Sequence, residues 1–443
     1  MLSRYYSRGI VVPSAVAVLA FGIAACGGDN GGGGGGGSSA KNASFTLNIG
    51  QVVPLSGDLA PYGPAGQKAG KLAVQQLQKA LSADGLAGDI KLKFSTADEQ
   101  TDPQAAVSAA RKLVSGGATC LVGAYASADT IPINQSVAAR QGIPQISQAS
   151  TSAQISDLSD NGTLFRVAPS DHLQGPALAR YVDRSVGGVR GKQVTLAARN
   201  DAYGTGFIDD VKKALVSMGA KVNGPIVYDP NAASYNSEAG KIASGNPVAY
   251  VIIDFPQTFG KVGPALLRTG SFDPKKLFIA DGLASSEGEG PPEGVPAASV
   301  KGAHGTTPSA PKSGASTKAF AKLYSSSSLS PKARAPYDAQ NFDATVLCAL
   351  AAIAAGSNDP GAIKDKLRDV SAPPGTRYTP QDLPQAIKDL RAGKDINYDG
   401  VSGPIDFAEN GDPTTGFYDE YGYTGKNDTY KTLGQFSIKA SGQ

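Results

Sequence analysis

The sequence predicts an α/β protein built as two doubly wound, parallel-sheet lobes with a ligand cleft between them. Three observations carry that expectation. From residue 45 onward, short apolar runs of strand length alternate with amphipathic segments of helix length. The alternation comes in two successive series, the second beginning near Lys192. Each series opens the same way, with a strand, a loop ending in Tyr-Gly and then a helix: "LSGDLAPYGPAGQ" and "RNDAYGTGF". Strands spaced by helices form right-handed crossovers and hence parallel sheets.

The elements follow in order. "SFTLNIGQVV" reads as a buried strand, and "GQKAGKLAVQQLQKAL" puts Ala69, Leu72, Ala73, Leu77, Ala80 and Leu81 on one helical face, with Ala65 just ahead of them. The first series continues with strand "IKLKFSTAD", helix "DPQAAVSAARKLVS", strand "TCLVGAYA", helix "ADTIPINQSVAARQ" and strand "IPQIS". The second runs from strand "QVTLAARND" through helix "YGTGFIDDVKKALVSMG", strand "KVNGPIVY" and helix "SYNSEAGKIASG". Strands "VAYVIIDF" and "LFIADG" follow, with "FGKVGPALLRTG" between them. Beyond about residue 305 come helical "STKAFAKLYSS", "PYDAQNFDATVLCALAAIAAG", "AIKDKLRDV" and "PQDLPQAIKDLRAG", then a tyrosine-rich hairpin. The Pro/Gly stretch 285–299 reads as a surface loop. Ligands of open α/β sheets bind beyond the carboxyl ends of the strands, so both Tyr-Gly loops belong at the cleft.

The N-terminus sets the compartment. Arg4 and Arg8 precede an uncharged stretch from Gly9 to Cys26 that Pro13 interrupts, marginal for a membrane span. Its ending, "IAAC", resembles the lipobox of bacterial lipoproteins, so residues 1–25 are expected to be a signal peptide and Cys26 the lipidated residue. An uncleaved anchor and a plain secretory signal are the alternatives. Residues 26–44 then read as a glycine-rich linker whose 27–42 stretch gives a root-mean-square reach of about 20–24 Å. Cleavage turns the formal charge of +3 into +1, which excludes a polyanion-binding footprint. Of three cysteines, Cys120 and Cys348 remain, both in apolar contexts, and are expected as buried free thiols. A long-range disulfide is the alternative, which the spacing does not support. With only His172 and His304 in the chain, no histidine-based metal site assembles locally.

Several segments together resemble the substrate-binding proteins of branched-chain amino-acid type ABC transporters, type I periplasmic binding proteins. They are "IGQVVPLSGDLAPYGPAGQKAGKLAV", "DPQAAVSAARKLV", "LVGAYASADTIP", "QGIPQISQASTS", "FRVAPSDHLQG", "DAYGTGF" and "VSGPIDFAENGD". The resemblance covers roughly residues 45–438 and implies two lobes joined by three crossovers, closing on a small ligand by a hinge. The crossovers are expected near 167–171, 301–307 and 399–403. Lobe 1 then comprises 45–167 plus 305–400, and lobe 2 comprises 168–304 plus 401–443.

The same resemblance implies the ligand residues. Ser127 matches the serine that binds a ligand carboxylate. Ala149 and Thr151 match the backbone and hydroxyl positions that meet carboxylate and ammonium, and Asp281 matches the acid that pairs the ammonium. Tyr62 and Tyr203 match the tyrosines of the facing loops. Phe255 matches a further aromatic wall residue, and Tyr337 is assigned on the looser match around "APYDAQ". The types suit a zwitterion, whose two charges must both be satisfied on leaving water. Packing and helix capping are the plainer roles for the same residues. The acid is Asp where Glu is common, and Thr101 and Ala126 stand where some relatives have a first-lobe disulfide, which leaves the ligand's identity open.

"DINYDGVSGPID" has the acids of a calcium loop, but Pro404 and a strand-like continuation argue against an exit helix. There is no Walker, dinucleotide or G-x-S-x-G pattern in the right context. The expectation is therefore a non-enzymatic, lipid-anchored monomer without cofactor or metal. It would capture an amino acid or related polar solute outside the cytoplasm and deliver it to a permease and ATPase. A two-lobe sensor or surface lipoprotein, and a binder of amides, urea or aromatic acids, are the alternatives.

Overall fold

The computed structural model describes residues 43–440. The expected signal segment, Cys26 and nearly all of the glycine-rich linker lie outside the described residues.

The first five strands form one parallel sheet: β1 (Phe45–Val53), β2 (Ile90–Asp98), β3 (Cys120–Val122), β4 (Gln145–Ser147) and β5 (Leu164–Arg166), in the order β2-β1-β3-β4-β5. A seven-stranded sheet holds β6 (Gln193–Arg199), β7 (Lys221–Tyr228), β8 (Ala249–Ile253), β9 (Leu277–Ile279), β10 (His304–Pro308), β13 (Thr415–Tyr423) and β14 (Tyr430–Lys439). Its order is β14-β13-β10-β9-β8-β6-β7. The tyrosine-rich tail is the antiparallel hairpin β13–β14 added to this otherwise parallel sheet. A small parallel pair, β11 (Thr376–Tyr378) with β12 (Ile396–Tyr398), was not expected from the sequence pattern.

The helix Gly63–Ala83 buries the apolar face read from its spacing, from Ala65 to Leu81. It packs on the helix Asp338–Ala355, which is buried from Asp338 through Ile353 and brings the late helical region back to the first lobe. Local caps fix the entry points. Asp102 accepts from the amides of Gln104 (3.0 Å) and Ala105 (2.8 Å) at a helix that starts with proline, a cap worth about 1 kcal/mol.

The repeated Tyr-Gly has a steric cause. A Cβ on Gly63 would sit 1.8 Å from the Pro54 carbonyl oxygen, and one on Gly204 would sit 2.2 Å from that of Arg199. In both lobes the helix start is pressed against the end of the preceding strand, where only glycine fits.

Three expectations are corrected. Cys120 on β3 and Cys348 in the helix Asp338–Ala355 form a disulfide with Cα atoms 6.1 Å apart, so they are not free thiols. All of β10 pairs within the second sheet, so the chain leaves that lobe after Pro308 instead of at residue 305. Val401, Ile405 and Phe407 pack in the first-lobe core, so the last crossover lies between Phe407 and β13 and not at 399–403. At that crossover Asp412 forms a buried bidentate pair with Arg166 at the end of β5, at 2.5 and 2.9 Å.

Candidate functional site

The carboxyl ends of the strands in both sheets point their loops at one small cavity of about 20 Å³. The first lobe lines it with Leu59 and Tyr62 after β1, Tyr125 and Ser127 after β3, Ala149 after β4, and Tyr337. The second lobe supplies Tyr203 after β6, Phe255 after β8, and Asp281 and Gly282 after β9. That volume is room for little more than one water, so the lobes lie closed on each other around it.

At one end Asp281 is almost fully buried. Its Oδ1 accepts from Gln174 Nε2 (3.1 Å) and the Tyr203 hydroxyl (3.0 Å), and its Oδ2 accepts from the Tyr337 hydroxyl (2.8 Å). Burial raises its pKa, the three donors pull it back, and it rests at about 6. Gly282 leaves no room for a side chain, since a Cβ there would lie 2.4 Å from the Asp254 carbonyl oxygen.

Aromatic rings form the walls. Tyr203 stacks on Phe255 with centroids 5.0 Å apart, and the Arg199 guanidinium lies over the Phe255 ring, 3.9 Å from its centroid. Tyr62 directs its hydroxyl across the cleft at the carbonyls of Gly282 (3.0 Å) and Ala284 (2.9 Å). Tyr125 meets Tyr337 edge to face at 6.4 Å.

At the first-lobe end Ser127 begins the helix Ser127–Ile133, and its Oγ accepts from the Ser152 amide at 3.2 Å. Thr151 does not line the cavity. It is buried two residues beyond Ala149, with its side chain toward Asp171 and its carbonyl accepting from the Asp171 amide at 2.8 Å. Burial, with Asp281 nearby, pushes the pKa of the Asp171 carboxyl well up, and the Thr151 hydroxyl beside it draws it part of the way back. Sequence reasoning missed Leu59, Tyr125, Gly282 and Gln174. Among the described residues no cluster of histidine, cysteine and acidic side chains could hold a metal ion.

Residues 46–418 match the family described as periplasmic binding protein. The chain belongs to the periplasmic binding protein family. These are solute-binding proteins that work outside the cytoplasm, not enzymes. The chain is 26% identical over 324 residues to Leu/Ile/Val-binding protein homolog 1 of Brucella suis, covering 72% of this chain and 82% of that one. The substrate-binding protein LivJ of Streptococcus pneumoniae, a branched-chain amino acid transporter component solved with isoleucine, superposes with a TM-score of 0.69. It is 20% identical, and the match covers 89% of this chain and all of LivJ. A solute-binding protein of R. palustris solved with benzoate gives a TM-score of 0.66 at 18% identity, covering 90% of this chain and 98% of that one. At these identities the two structures speak for the periplasmic binding protein fold alone.

Proposed function

We propose that this chain is the extracytoplasmic solute receptor of an ABC importer, a lipoprotein anchored through Cys26 that captures an amino acid of branched-chain type. The observation that supports it is the polarity of the cavity. A buried carboxylate, Asp281 from the second lobe, and the Ser127 hydroxyl from the first line the same cavity as the rings of Tyr62, Tyr203 and Phe255. Asp281 supplies the counter-charge for an α-ammonium, Ser127 and the neighbouring backbone take the carboxylate, and Tyr62, Tyr203 and Phe255 bury the apolar side chain. The names of the Brucella and Streptococcus relatives favour the same ligand class. Closure of the lobes would then present the loaded body to a permease, with ATP hydrolysed by a separate subunit.

A second reading is an aromatic acid. Asp281 already accepts three hydrogen bonds, which leaves little capacity for an ammonium, and the R. palustris relative holds benzoate. Melting the body from residue 41 onward against branched-chain amino acids, amides and benzoates separates the two. A ligand at 100 times its Kd adds about 2.7 kcal/mol to stability. Stabilisation by leucine, isoleucine or valine supports the first reading, by benzoates alone the second, and by none of them neither. For the anchor, Cys26→Ser is expected to release the protein from the membrane fraction, and continued membrane retention would refute it.

A further inference from the structure

We propose that Tyr337 is the wall that limits ligand length, closing the cavity off from an outer groove that would otherwise take an N-terminally extended ligand such as a dipeptide. This rests on the assignment of Asp281 to the ligand's amino end.

Tyr337 borders two spaces at once. One side of it faces the cleft cavity, and it also lines a groove of about 740 Å³ on the outer side. Its hydroxyl is fixed to Asp281 Oδ2 at 2.8 Å and its ring is braced edge to face by Tyr125. The backbone is forced to suit: Tyr337 has φ 67° and ψ 6°, a left-handed conformation that a bulky aromatic residue rarely adopts. Strain of this kind persists only where surrounding contacts impose it, here by the Asn341 amide and side chain donating to the Tyr337 carbonyl at 3.0 and 3.1 Å.

The groove beyond has its own charge pattern. Arg334 pairs with Asp338 (2.6 Å) and Lys312 with Asp419 (3.4 Å), whereas Glu287 and Glu289 have no cationic partner among the described residues. If the ring is removed beside Asp281, a dipeptide can leave its C-terminal residue in the cavity and its peptide N–H at Asp281. Its N-terminal residue then passes into the groove, where the displaced ammonium meets the two glutamates. A lysyl dipeptide should therefore be favoured over a glutamyl one.

The test uses wild type, Tyr337→Gly, Tyr337→Asn and Tyr337→Phe, with leucine, Lys-Leu and Glu-Leu as probes in titration calorimetry. Glycine and asparagine both accept the left-handed backbone, so the fold is kept, which the melting curves verify. The Gly and Asn variants are expected to bind Lys-Leu at least tenfold more tightly than wild type does, and more tightly than Glu-Leu. Tyr337→Phe, which keeps the ring and loses only the hydroxyl, should stay closed to both dipeptides. Gly and Asn variants that bind no dipeptide better than wild type overturn the proposal, whatever wild type binds, and so does an equal gain in Tyr337→Phe. Wild type that ignores leucine while the Gly variant gains Lys-Leu would keep the wall and refute the amino-acid assignment instead.

Discussion

Asp281 draws its hydrogen bonds from both lobes, Tyr337 on one side and Tyr203 with Gln174 on the other. It therefore reports the site's charge logic directly. Its pKa is raised by burial from the ordinary 3.8 to about 6, so the carboxylate that an ammonium needs is largely lost by pH 5. Affinity for an α-amino ligand is expected to fall about tenfold per pH unit below 6. Asp281→Asn should weaken such a ligand about 30-fold or more at pH 7.5 and abolish that slope, since breaking a buried charge pair costs about 2–5 kcal/mol. Binding titrations at pH 5 to 8 check this; equal losses for leucine and benzoate would refute the ammonium role. The same shift affects folding with the opposite sense. A folded pKa above the unfolded one makes the free protein more stable as pH falls from 6 toward 4, by about 3 kcal/mol from this group, and the difference should vanish in Asp281→Asn. The two Tyr-Gly loops, with Tyr62 and Tyr203 before glycines at strand ends, could be placed at the cleft from the residues themselves, whereas Asp281 was singled out only by the family resemblance. Gln174 could not, because a glutamine in the first turns of a helix carries no sign of whether it faces water or a buried acid. Tyr125 was hidden in the same way, two residues before the serine that drew attention to its loop.

At the scale of elements, the strands and helices were legible because their apolar spacing is a local property, whereas their partners were not. The Cys120–Cys348 disulfide joins β3 to the helix Asp338–Ala355 across 228 residues of sequence. "ATCLVG" and "TVLCALAAI" describe two buried cysteines equally well whether or not they meet. Only the packing of that helix onto the first sheet brings them together. The late crossover was misplaced for a related reason, since Val401, Ile405 and Phe407 are apolar enough to serve either lobe's core. The disulfide closes a very long loop in the unfolded chain, so its loss should be costly: Cys120→Ala with Cys348→Ala, or reduction, is expected to lower unfolding free energy by about 2–5 kcal/mol. Denaturant melts of the oxidised protein against the double variant measure it. Identical midpoints would mean that packing of the helix, rather than the covalent link, holds this part of the lobe. Because the bond lies within the first lobe and away from the cavity lining, ligand affinity of the double variant should stay within about twofold of wild type at temperatures where it is folded.

At the scale of the molecule, the two lobes are held together by a ring of contacts around the cavity as well as through it. Asp58, in the first-lobe loop, accepts from Arg199 (2.9 Å) and from the Thr258 hydroxyl (2.6 Å) in the second lobe. Gln257 donates to the Gly57 carbonyl at 2.5 Å, and Ser152 to that of Ala202 at 2.8 Å. Arg199 is itself buried and keeps Asp201 and Asp254 as partners within its own lobe, so removing Asp58 leaves no uncompensated charge behind. Asp58→Ala should therefore act on the equilibrium between apart and together rather than on the stability of either lobe. A partly exposed, hydrogen-bonded ion pair of this kind contributes about 1–2 kcal/mol. When the ligand binds the closed form, apparent affinity scales with the population of that form, so the variant should lose about 5- to 30-fold in affinity with an unchanged unfolding midpoint. Small-angle scattering supplies the independent readout: without ligand the radius of gyration of Asp58→Ala should exceed that of wild type, and saturating ligand should bring the two together. A variant with wild-type dimensions and weakened binding would place Asp58 in direct support of the ligand loops instead. One with wild-type binding would show that the contacts through the cavity, from Tyr62 to Gly282 and from Tyr337 to Asp281, suffice to close the lobes.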